Sequence, residues 1–163
     1  MAMIRENSSV PSQLRTYGDV ATRAMLRETV LNGGTTVSLE TFKVPAHTTG
    51  YFVGGSKGWN GEKIEAVIIP ESEFTLESLR FAFGHLYAEH LTAQQITDSM
   101  PVVGGYLGTW TDNGLVYVDA SNWTADRSEA VTWALERGEL AIWDVQANGS
   151  LEMAGMALEL VAA

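Results

Sequence analysis

The stretch "TWTDNGLVYVDASNW" (Thr109–Trp123) decides how this chain folds. Asn113 and Gly114 accept positive φ at little cost and are flanked by alternating apolar residues. The segment therefore predicts a hairpin that turns at Asp112-Asn113-Gly114. Its second strand, "LVYVDA", closes in this reading on Asp119, Ala120, Ser121 and Asn122. Turn chemistry accounts for the polar ones, because aspartate, serine and asparagine side chains satisfy loop backbone groups. The competing reading makes Asp119 a general base or ligand-orienting acid, with Ser121 as its partner and Arg127 as an anchor for an anion. The turn is favoured.

Downstream, Asp126-Arg127-Ser128-Glu129 forms a capping box for a helix that carries Ala130, Val131, Ala134 and Leu135 and stops at Arg137-Gly138. "ELAIWDV" (Glu139–Val145) follows as a strand, and Asn148-Gly149 permits one last hairpin. Upstream, a helix is expected from Ser12 to about Leu31, ended by Asn32-Gly33-Gly34. "TTVSLETFKV" reads as a strand ended by Pro45, and "GYFVGG" (Gly50–Gly55) and "KIEAVIIP" (Lys63–Pro70) as two more. "TLESLRFAFGHLYAEHL" has one apolar helical face, and Thr92-Ala93-Gln94-Gln95 predicts a separate short helix after it. Together these elements predict an α+β fold: a mixed, mostly antiparallel sheet with helices packed on one face. A single domain is expected over 1–163, with 1–12 and 155–163 as its loose ends.

At 163 residues the chain is long enough to bury a core without covalent staples, and with no cysteine it has neither disulfides nor a thiol nucleophile. The opening "MAMIRENSSVPSQ" lacks an apolar leader core, and no apolar run reaches the roughly 18 residues of a membrane span. The expectation is a cytoplasmic protein that does not enter membranes. The net charge of -10 is uneven: residues 1–60 hold six basic and four acidic residues, the remainder four basic and sixteen acidic. Such a surface repels nucleic-acid phosphates and would attract a basic protein, although taken by itself the charge reads first as a surface that confers solubility.

His85 and His90 are five apart on a helix, about 140° around its axis, so "HLYAEH" lacks the spacing that brings two imidazoles together. No metal site is expected. "GGSKGWNGEK" and "GGYLGTW" precede strands rather than helices and miss the phosphate-loop spacings, so no nucleotide or other cofactor is expected. Trp59 and Trp123, read as loop residues, are the candidate aromatic contacts for a partner, and Glu129, Glu136 and Glu139 are the candidate acidic ones.

One pattern runs Gly108-x-Trp110, a turn, Tyr117-x-Asp119-x-Ser121, Asp126-Arg127, a helix, then Ala141-Ile142-x-Asp144. With "GYFVGG" it resembles uncharacterised small proteins of actinobacterial phages and mobile elements. The resemblance covers less than half the chain. It implies an accessory protein and brings no activity with it. The leading expectation is thus an acidic protein that binds and modulates a host protein with a basic surface, such as a nucleic-acid-binding or defence protein, without touching nucleic acid itself. A small hydrolase or transferase built on Asp119, Ser121 and Arg127 is the first alternative. A self-associating virion component is the second.

Overall fold

Asn113 and Gly114 both take positive φ, 54° and 79°, and close the two-residue turn that "DNG" demands. A computed structural model of the chain describes residues 12–58, 61–96 and 105–154. In chain order its elements are α1 (Ser12–Asn32), β1 (Gly34–Ser38), β2 (Tyr51–Gly54), β3 (Val67–Pro70), α2 (Leu76–Ile96), β4 (Tyr106–Asp112), β5 (Leu115–Thr124), α3 (Arg127–Arg137), β6 (Ala141–Asp144) and β7 (Gly149–Glu152). The fold is α+β, and every strand pairing among the described residues is antiparallel.

β5 is the axis of the sheet. One edge pairs with β4 from Leu115 to Ser121, and β1 lies beyond β4. The other edge is shared: β3 pairs with Leu115–Val118, and β2 with Ser121–Thr124. β6 and then β7 extend the sheet outward from β2. Strand alternation gives the two faces different work. Val37, Leu107, Val116, Val118 and Ala120 are buried on one face, with Met25 of α1 and Leu79 and Leu86 of α2 buried in the same core. Val53 and Ile142 point to that same face and pack under Ala130, Val131 and Ala134 of α3. All three helices therefore cover one side of the sheet.

Several boundaries differ from the sequence expectation. β1 stops at Ser38 rather than near Pro45. The Ser38 hydroxyl accepts the N–H groups of Glu40 and Thr41, Phe42 N–H closes on Ser38 O at 2.7 Å, and the chain turns with Phe42 at φ 57°. α2 runs unbroken through Thr92, since no glycine or proline interrupts "LTAQQ". The largest difference is β5, which does not end at Asp119–Asn122. β2 supplies backbone partners as far as Thr124, so this polar stretch is strand and not turn. α3 is built as expected: Asp126 accepts from the N–H groups of Ser128 and Glu129, and Gly138 closes the helix in the left-handed region.

Leu107 is fully buried at the centre of the core. Leu107→Ala should cost about 3 kcal/mol in urea unfolding, whereas Asp126→Ala, which removes only a helix cap, should cost about 1 kcal/mol.

Candidate functional site

Because β2 and β3 share one edge of β5, that edge has a gap at Asp119 and Ala120, where residues 55–58 leave and residues 61–66 return. The loop is pinned there: Ser56 N–H donates to Ala120 O at 3.0 Å and Ile64 N–H to Ser56 O at 2.9 Å. Asp119 points to the face opposite the helices, next to the Gly54-Gly55 pair. A Cβ at Gly54 would overlap Asp119 Oδ2 and come within 3.1 Å of Glu139 Oε2. At Gly55, φ is +66° and a Cβ would meet Glu139 Oε1 at 2.6 Å and Lys63 Cε at 2.7 Å. The two glycines thus make room for two carboxylates and an ammonium.

Gly55 N–H donates to Asp119 Oδ1 at 3.2 Å. Lys63 Nζ lies 2.9 Å from Glu139 Oε1 and donates to Arg137 O, also at 2.9 Å. The Arg137 guanidinium donates to Val53 O, Gly54 O and Asn122 Oδ1 and stands 5.0 Å over the Trp133 ring. Both cations are thereby committed to other groups. Desolvation pushes the Asp119 carboxyl up to about 7, and the neighbouring Glu139 charge adds to it; Gly55 N–H, Lys63 and the Ala120 backbone only partly oppose this. A carboxyl in this state changes charge near neutrality.

Around Asp119 the helix-free face is aromatic. On one side Trp110 stacks on Tyr117 with centroids 4.2 Å apart, and Ile68 lies next to Tyr117 across the β3–β5 ladder. On the other side His47 stacks on Trp123 at 3.7 Å, and its Nε2 is 3.2 Å from Tyr106 Oη. Trp110, Trp143 and Ile68 remain 39, 41 and 54% exposed.

The candidate residues named from sequence separate in space. Asp119 and Ser121 share the helix-free face, and Ser121 is buried. Arg127 opens α3, whereas the arginine beside the Asp119 cluster is Arg137 at the other end, roughly 15 Å away along an 11-residue helix. Glu139 is drawn into the ion pair with Lys63, with 18% of its side chain exposed, while Glu129 and Glu136 stand exposed on α3. Trp123 is a strand residue whose Nε1–H donates to Thr49 O, and Trp59 lies outside the described residues. Lys63, Arg137 and His47 were not singled out from sequence. The Gly54-Gly55 pair, read as a strand boundary, was the available sign of a close approach. Among the described residues no group of three or more His, Asp or Glu converges in a way that could hold a metal. Comparison of the chain with protein-family models, curated proteins and solved structures finds no match.

Unfolded Asp119 titrates near its ordinary 3.8 and the folded group near 7, so between these values the folded chain holds the extra proton. Stability should therefore fall as pH rises from about 4 to about 7 and then level off, with an Asp119 contribution on the order of 4 kcal/mol at most. Asp119→Asn should flatten that slope in urea midpoints measured across this range. Glu139→Gln should move the inflection to lower pH by removing the neighbouring negative charge.

Proposed function

We propose that the chain is a binding protein that docks a partner with a basic surface onto the helix-free face of its sheet. One observation carries this reading: the composition of that face. Trp110, Tyr117, Ile68 and Trp143 provide apolar contact, Asp112 and Glu152 stand on the same face, and no strand position of the sheet is lysine or arginine. Aromatic anchors beside strand carboxylates suit a complementary protein surface. They suit nucleic acid poorly, because each carboxylate repels phosphate. The resemblance to phage and mobile-element proteins supports a host protein as that partner.

A second reading, a small hydrolase or transferase, is favoured by the Asp119 carboxyl alone, whose titration near neutrality fits a general acid–base group. It would use Glu139 and Lys63, the groups at hand, rather than Arg127.

The docking reading is tested with immobilised chain and a host lysate. A stoichiometric partner should be captured at low salt and released at high salt. Trp110→Ala and Asp112→Lys should abolish capture, while Glu136→Lys, on the helix side, should leave most of it. Capture that survives high salt, or that is lost only with Glu136→Lys, would place the interface elsewhere.

A further inference from the structure

Among the described residues two buried side-chain hydroxyls have no hydrogen-bond partner, Ser56 Oγ and Ser121 Oγ. Both residues are more than nine-tenths buried, Ser56 at 1% and Ser121 at 6% exposure. Ser121 adjoins Asp119. It is two residues along β5 on the same face and directly opposite Gly54, the glycine whose vacant side-chain space the Asp119 carboxylate occupies. Ser56 is tied by its N–H to Ala120, whose side chain lies in the core on the helix side, so the Ser56 hydroxyl is not grouped with Asp119 and Ser121. An orphaned buried hydroxyl is costly, so Ser121 Oγ beside a desolvated carboxyl calls for a ligand that supplies the missing bond.

Asp119 itself makes no salt bridge among the described residues. The charged groups around it are Glu139 following α3, Lys63 from the loop with Glu65 near it, and Arg137 at the end of α3. Lys63 is bonded to Glu139 and to Arg137 O, and Arg137 to Val53 O, Gly54 O and Asn122. β4 contributes Gly108 opposite Asp119, where an added Cβ would meet nothing closer than Thr36 Oγ1 at 3.4 Å. Gly108 leaves room for a methyl-sized group beside the carboxyl, and Ser121 Oγ, unpartnered on the same face, is able to accept an N–H.

We infer that this break in the sheet is the seat for one cationic head group, a guanidinium or primary ammonium carried by the basic partner. The inference rests on the docking reading and specifies its anchor. Asp119 and the Ser121 hydroxyl accept from the head group, and the Trp110–Tyr117 stack and Tyr106 bound it on either side. An anion would face two carboxylates. A neutral polyol would leave Asp119 without a counter-charge. Entry of the cation favours ionised Asp119, so below neutral pH each head group that binds displaces one proton to solvent.

The test uses N-acetylarginine amide as the probe and NMR on the whole chain. Saturable shifts should appear in β5 and at Gly54 and Gly55, with affinity about tenfold higher at pH 8 than at pH 6, following the ionised fraction of Asp119. Asp119→Asn should remove that pH dependence. Ser121→Ala should weaken the probe at both pH values without lowering the melting temperature, since no bond is lost in the free chain. Equal affinity at pH 6 and pH 8, shifts confined to other surfaces, or an Asp119→Asn chain that binds like the parent would overturn the inference. The two readings fail separately. A salt-sensitive partner that is indifferent to Asp119→Asn sinks the anchor alone, and a probe that binds as expected with no partner captured sinks the docking reading alone.

Discussion

Pairing along both edges of β5 is the constraint on which the rest of the structure depends. β5 has ten residues, and its neighbours cannot cover both edges with equal continuity. β4 follows one edge from the hairpin without interruption, because the two-residue Asn113–Gly114 turn fixes the register from its first pair, Asp112 with Leu115. The other edge is served by two short strands, and the four residues of β2 end before β3 begins. The gap falls beside Asp119. A carboxylate in the middle of a central strand thus sits at the one stretch where the ladder opens.

The chemistry of the gap follows from that geometry. Closing a loop against a sheet edge places backbone and side chains tightly together, and glycine at 54 and 55 is what the carboxylates and Lys63 require. The same closeness strips water from Asp119, while the two nearby cations are held by other acceptors. The carboxyl is left neutral or ionised by small changes in its surroundings. Packing all three helices on one face has a second effect: it leaves the opposite face, with this carboxyl at its centre, bordered by aromatic rings and acidic residues and free of strand lysines and arginines.

Much of the architecture was legible in the sequence because its signals are local. The Asn-Gly turn, the Asp126 cap, the Gly138 stop and the alternation of Val116, Val118 and Ala120 each act over a few residues, and each corresponds to an observed feature. The hairpin register also sets Trp110 opposite Tyr117, on the face that the valines do not share. The site was less legible because it is assembled from afar. Residues 119 to 122 carry turn composition, and only the arrival of β2, some seventy residues earlier in the chain, keeps them extended. Lys63 and Arg137 meet Glu139, Gly54 and Asn122 through the same long-range pairing. No spacing in the sequence encodes that meeting.

The Asp119 environment tests this account most directly, because the break in the sheet, the glycine cradle and the committed cations all converge on it. Carboxyl carbon chemical shifts of the folded chain, followed by NMR from pH 3 to pH 9, would report it without any partner or variant. A midpoint near 7 for Asp119 is expected, against ordinary midpoints near 4 for exposed carboxylates. A midpoint near 4 for Asp119 as well would mean that the carboxyl is solvated or paired, and would contradict the site as described.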